Sequence, residues 1–284
     1  GSPTQGFGYT TLMTNNGKMV NRGVEITLSG EIIRQKDFSW NASLLYAFNR
    51  NKVKHISVQP SLWDSRISMP TSYPMVGKPL YGIYAYKWAG LNENGDPQVY
   101  DAENNVTSGP ARDYHALVYC GTTVPIHNAS LTNVLRYKGF EFSAMLILDA
   151  GHKLRSSNIP SINMSNGRIT STAKGIVDRW TQPGDVTDVP RLLFSNDTEN
   201  FNTHRTELYR YSDLFVYDAS NIRLSNISLA YRVPAHWCKT ISLSGARLQF
   251  NVENVATFAF DSKANYDLGG KVKPNYVWGL YLNF

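Results

Sequence analysis

The residue types that carry covalent or metal chemistry are sparse in this chain, and their spacing assembles no site. Asp185 and Asp188 are the nearest thing to a carboxylate pair. Two carboxylates can divide acid and base roles, but Pro183-Gly184-Asp185 is a turn signal in its own right. The 6 histidines, at 55, 115, 127, 152, 204 and 236, include no i, i+4 pair and no neighbouring cysteine pair, so metal-type spacing is missing. No G-x-S-x-G, P-loop or H-E-x-x-H motif occurs. Cys120 and Cys238 lie far apart; they are either a disulfide formed in an oxidising compartment or two unpaired structural thiols. The chain is therefore read as a non-enzyme, with no catalytic or metal-binding residue and no cofactor. Recognition is better served by the loop aromatics Trp63, Tyr73, Tyr81 and Trp180. They are candidates for stacking on sugar rings, with loop packing or a membrane interface as the alternative use of such side chains.

The elements that would position these residues are strands. The final segment, Tyr276 to Phe284, alternates at period two: Tyr276, Trp278, Leu280, Leu282 and Phe284 on one face, Val277, Gly279, Tyr281 and Asn283 on the other. Residues 23–33 and 38–49 alternate around the short turn Gln35-Lys36-Asp37, and 129–137 and 140–149 around Lys138-Gly139, which predicts two antiparallel hairpins. Residues 222–231 form a further strand whose apolar phase changes between Leu224 and Ile227, so a bulge is expected there. Residues 246–253 alternate as well, and 234–240 read as a turn with one helical turn. Long connections are expected at about 51–126, 150–220 and 254–274, with a short helix over Ser171–Trp180 inside the second. Whether 80–88 and 97–101 cross the wall or form a hairpin within a loop is left open by the pattern.

Each strand has one face too apolar for water. Its opposite face, with Glu25, Glu31, Asn41, Glu141, Arg247, Gln249 and Glu253, is too polar for a dry core, where an unpaired carboxylate costs several kcal/mol. Lipid on one side and a wet lumen on the other satisfy both. Short and long connections alternate, as in an up-and-down transmembrane barrel with short periplasmic turns and long extracellular loops. Composition agrees: 42% hydrophobic and only 18% charged, with 17 tyrosines. The net charge of +6 is scattered over the chain without a basic run, so nucleic acid is not an expected partner. No apolar stretch is long enough for a transmembrane helix, which excludes helical spans only. The opening Pro3-Thr-Gln-Gly-Phe7 reads like the middle of a longer polypeptide.

Five segments, in order, resemble the SusC/RagA-type TonB-dependent outer-membrane transporters of Bacteroidetes. They are Asn16-Gly-Lys-Met-Val-Asn-Arg-Gly-Val-Glu-Ile26, Gly77-Lys-Pro-Leu-Tyr-Gly-Ile-Tyr-Ala-Tyr-Lys-Trp-Ala-Gly-Leu91 and Leu135-Arg-Tyr-Lys-Gly-Phe-Glu-Phe142, then Asp178-Arg-Trp-Thr-Gln-Pro-Gly-Asp185 followed by Val189-Pro190, and Phe215-Val-Tyr-Asp-Ala-Ser-Asn-Ile-Arg-Leu-Ser-Asn-Ile-Ser-Leu-Ala-Tyr231. The resemblance implies an all-β fold in which this chain supplies roughly the C-terminal third of a 22-stranded plugged barrel. It implies TonB-energised import of an oligosaccharide or peptide through the bacterial outer membrane. The implied partners are a SusD-like lipoprotein, the TonB complex, outer-membrane lipid and the barrel-assembly machinery. That machinery would read Tyr276, Trp278, Leu280, Leu282 and Phe284 as its terminal signal. Cys120 departs from the small or polar residue expected before Gly121. A secreted all-β carbohydrate-binding or hydrolase domain, or a passive porin, are the alternative readings.

Overall fold

The computed structural model describes residues 17–57, 65–109, 111, 113–164, 173–194, 203–269 and 273–284. Seven long strands form one antiparallel meander in chain order: β1 Gly17–Arg34, β2 Phe38–Ile56, β3 His127–Tyr137, β4 Phe140–Ala150, β5 Asn221–Arg232, β6 Gly245–Ala259 and β7 Asn275–Asn283. All seven expected strands are present. Several run further than the alternation indicated: β1 starts at Gly17, β2 continues to Ile56 and β6 to Ala259. The expected lengths stop where apolar alternation stops, but backbone pairing continues along β1 and β2 past that point.

The register keeps the two faces separate across the whole sheet. Leu28 lies opposite Leu44, Leu44 opposite Leu131, and Leu131 opposite Leu146. Further along the same face, Phe142 meets Leu229, Leu229 meets Phe250, and Phe250 meets Trp278. On the other face Ser29 meets Ser43, Ser43 meets Thr132, and Arg136 meets Glu141. A register shift between Leu224 and Asn226, seen against both neighbours, absorbs Ser225 and returns Ile227 to the apolar face. This is the bulge expected from the change of phase.

The sheet does not close: among the described residues β1 and β7 pair on one side only. Among the described residues nothing covers the apolar face of the wall, so its side chains are exposed, Leu28 at 61% and Trp278 at 78%. The short connections lie at one end. Lys138, in the left-handed region at φ 52, makes the tightest of them. A Cβ at the following Gly139 would sit 2.9 Å from the Arg232 carbonyl, so glycine alone fits under the next strand. The connection before β6 carries the helical turn Ala235–Thr240.

The three long connections leave the opposite end and pack on one another as a cap. Gly82–Tyr86 pairs with Leu117–Thr122, and Trp88–Leu91, Pro97–Tyr100 and Val106–Thr107 form a small separate sheet. Residues 80–101 therefore do not join the wall. Most fully buried hydrophobic side chains are in the cap: Tyr84, Tyr86, Val99 and Leu208 in one cluster, Ile162, Tyr209 and Phe215 in another. Tyr86 donates its hydroxyl to the Ala111 carbonyl at 3.0 Å and Tyr84 accepts from the Met75 amide at 2.9 Å, which satisfies both buried phenols. The helix expected over Ser171–Trp180 is replaced by a 3-10 turn at Lys174–Asp178, while 171 and 172 lie outside the described residues. No helix among the described residues is long and apolar enough to cross a membrane, which says nothing of strands.

Candidate functional site

The cap places the recognition candidates in separate surroundings. Tyr73 is half-buried and lines a cleft of about 520 Å³ with Met19, Val53, Ile56, Pro74 and Leu80. Tyr81 is 46% exposed, and its carbonyl accepts from the Thr123 amide at 2.8 Å. Trp180 lies over the turn at Gly95, which has φ +75; a Cβ there would come within 2.4 Å of the indole. That ring packs one loop on another, while its amide donates to the Val189 carbonyl at 2.8 Å. Trp63 lies outside the described residues. Tyr73 and Trp180 thus do not share a platform.

The acidic candidates have turn-building roles. The Asp185 carboxylate accepts from the Thr181 amide and hydroxyl, both at 2.8 Å, and from the Gln182 amide at 3.0 Å. Those hydrogen bonds, the Thr181 amide first, hold its carboxyl below the usual carboxylate value. Asp188 accepts from the Trp88 indole nitrogen at 3.0 Å. The histidines are dispersed: His115 lies 2.6 Å from Asp113, His127 2.8 Å from the Tyr46 hydroxyl and His204 3.1 Å from Glu207. His152 is buried, and its Nδ1 has no partner in the structure. Burial lowers its pKa, against the opposing pull of Asp149 and Asp218. Among the described residues no group of three metal-ligating side chains comes together. Cys120 is in the cap and Cys238 in the helical turn at the other end; both are unpaired. Burial, with Asp213 adding to it, pushes the Cys120 thiol up to about 11, so it stays protonated at neutral pH.

The strongest polar cluster escaped the sequence. Asp96 receives Arg191 in two bonds, at 3.0 and 2.8 Å, and Arg205 at 3.1 Å. Arg205 is 2% exposed and also donates to the Ile162 carbonyl, the Asn163 side chain and the Arg191 carbonyl. A buried guanidinium is tolerated only with this degree of satisfaction. One carboxylate thereby ties the first long connection to the second. Asp267 ties in the third through Ser156 and Ser157. An Asn-Gly-Asp turn marks Asp96 in the sequence, but nothing local points to arginines about a hundred residues away.

Below the cap, the polar face of the wall is a hydrogen-bonded surface. Asn128 donates to Asp149 at 2.7 Å, and Arg223 to the same carboxylate at 3.0 Å. Glu141 takes Arg136 at 2.7 Å and Arg247 at 3.2 Å. Such a surface suits contact with water and polar solutes, and it contains no activated nucleophile.

Comparisons place this geometry among known proteins. No family model matches. The chain is 24% identical over 294 residues to TonB-dependent receptor P3 of Formosa agariphila, covering 96% of this chain and 28% of the relative. It is 23% identical over 263 residues to TonB-dependent receptor SusC of Bacteroides thetaiotaomicron, covering 88% and 24%. The solved RagAB peptide transporter superposes with TM-score 0.69 at 22% identity, over 95% of this chain and 30% of that one. The chain spans less than a third of the length of these proteins. The resemblance to SusC-type TonB-dependent receptors thus holds along nearly all of the chain, and the likeness to RagAB extends it to the fold.

Proposed function

We propose that this chain is part of the wall of an outer-membrane β-barrel that imports an oligosaccharide or peptide, energised through TonB. In this reading the barrel has roughly 22 strands and a plug, and the chain lies in its C-terminal part. The long connections are extracellular and a SusD-like lipoprotein delivers the solute to them. Tyr276, Trp278, Leu280, Leu282 and Phe284 are the barrel-assembly signal. Tyr73, Tyr81 and Trp180, all in the cap, remain the solute-contacting candidates, and so does Trp63, which lies outside the described residues.

The observation that carries the reading is the unbroken separation of faces over seven strands in register. A soluble sandwich would bury its apolar face against a second sheet. Among the described residues the only other layered structure is the cap, which sits at one end. The names of the relatives support import: one set is called TonB-dependent receptors and another a peptide transporter.

The test is uptake by cells carrying the native polypeptide, using labelled oligosaccharides and peptides with and without TonB. The reading predicts saturable uptake that stops when TonB is removed. Flux unaffected by TonB would indicate a passive porin, and recovery of the protein from the aqueous fraction would favour a soluble β-domain.

A further inference from the structure

The outer, apolar face changes character abruptly at the cap end of β1 and β2. Its last apolar rung is Val24 opposite Phe48. The next rung is Arg22 opposite Arg50, and the one after it is Val20 opposite Lys52. At ~3.3 Å per residue, these rungs stand about 7 and 13 Å beyond the apolar edge along the strand. Arg22, Arg50, Lys52 and Lys54 line one cleft of about 430 Å³, walled by Phe48 below and Pro79 beside it. All four cations are exposed, and none takes part in an ion pair among the described residues.

The surrounding sequence withholds any counter-charge. Between Gly1 and Val24 of the given sequence no residue is acidic, and between Asp37 and Glu93 the one acidic residue is Asp64. Arg22, Arg50 and Lys52 occupy two adjacent rungs and Lys54 falls at the register shift just beyond them; such like charges repel one another, and pairing with a carboxylate would be the ordinary remedy. The other strands do not repeat the feature. At its cap end β3 presents His127 on this face, hydrogen-bonded to Tyr46, and β6 presents Phe258. Among the described strands the cations are thus concentrated at the cap end of β1 and β2, directly above apolar side chains of the same face.

We infer that this cleft binds the phosphate-bearing headgroup of an outer-leaflet lipid. The inference rests on the reading of the apolar face as lipid-facing. Phosphate is the chemistry that fits: Arg22 and Arg50 offer forked donors, Lys52 and Lys54 compact charges, and the site lies where headgroups begin. The Phe48 ring and Val24 beneath it continue the acyl-chain surface, so headgroup and chain are held by one strip of β1 and β2. The bound lipid would neutralise the repulsion that no carboxylate among the described residues compensates.

The native polypeptide is incorporated in nanodiscs with a phosphorylated glycolipid or with the same glycolipid after phosphate removal. Lipid retained after detergent extraction is then counted by native mass spectrometry. The phosphorylated lipid should be retained selectively, and retention should fall about fivefold for each cation removed in Arg22→Gln, Arg50→Gln, Lys52→Gln and Lys54→Gln, singly and combined. Heat-modifiable electrophoretic mobility confirms that each variant is folded, and the single variants keep the test valid should the combined one fail to fold. Equal retention of the two lipids overturns the inference, as does wild-type retention by folded variants. Complete displacement by inorganic phosphate overturns it too, since it shows a site for a free anion. So does loss of binding to an acidic protein partner without any change in lipid. A polypeptide that fails to enter the bilayer sinks the proposed function as well; one that enters and shows no lipid selectivity sinks this inference alone.

Discussion

Arg205 reaches Asp96 from 109 residues away and is almost wholly buried. Replacing it with alanine would leave the Asp96 carboxylate with Arg191 alone and take a donor from the Arg191 carbonyl, while the Ile162 carbonyl keeps the Leu193 amide at 3.0 Å. Losing charge-assisted hydrogen bonds while the carboxylate stays paired costs about 1.5–3 kcal/mol. Arg205→Ala should therefore open the cap to limited proteolysis between β4 and β5 while the wall keeps its resistance to heat in detergent. Gly95→Ala acts through shape: strain at φ +75 and a collision with the indole should cost about 1–3 kcal/mol. Displacement of Trp180 should appear as a red shift in its fluorescence. His152 gives the cap a dependence on pH. Its folded pKa lies below the ordinary 6.5, so its contribution to stability is full above pH 6.5. As pH falls from 6.5 through the lower folded value, the unfolded chain takes up the proton first and that contribution is lost. The protection factor of the Ala219 amide, bonded to the His152 carbonyl at 3.0 Å, should fall over this window. His152→Gln should flatten the response. Little of this was legible beforehand. The turn role of Asp185 follows from its Pro-Gly neighbours, whereas the Asp96 cluster depends on loops meeting in space, and long-range ion pairs leave no periodic trace.

The strands were far more legible, because alternation along a strand records which face is apolar and which is polar. Even Ser225 was visible as a break in phase. Strand ends were less so: beyond Val24 and Phe48 the side chains turn polar on both faces while pairing of β1 and β2 continues. The small sheets of the cap were unreadable as such, since strands of two to six residues are shorter than a pattern needs. The face assignment makes an opposed pair of predictions for neighbours on β2. Leu44→Arg, set between Leu28 and Leu131, should cost about 2–4 kcal/mol in bilayer or detergent, as expected for a cation at mid-membrane. Ser43→Arg, one residue away and facing Ser29 and Thr132, should change stability little. Chemical unfolding of the two variants in detergent measures both.

At the scale of the molecule, the chain has a layered cap and a wall only one sheet thick. The cap has its own buried aromatics and ion pairs. The apolar face of the wall has no protein over it among the described residues, and each of the two edge strands pairs on one side only. An apolar face of this extent must be covered by something, and free strand edges invite pairing. Lipid on the outside and further strands at the edges meet both needs, in keeping with relatives three to four times longer. The central claim is that the two faces of this sheet meet different solvents. Spin labels placed one at a time at residues 41–47 of β2, in the native polypeptide within its membrane, test this directly. Accessibility to oxygen should peak at 42, 44 and 46, and accessibility to a water-soluble relaxer at 41, 43, 45 and 47. Equal water accessibility at all seven positions, or no alternation at all, would contradict the account.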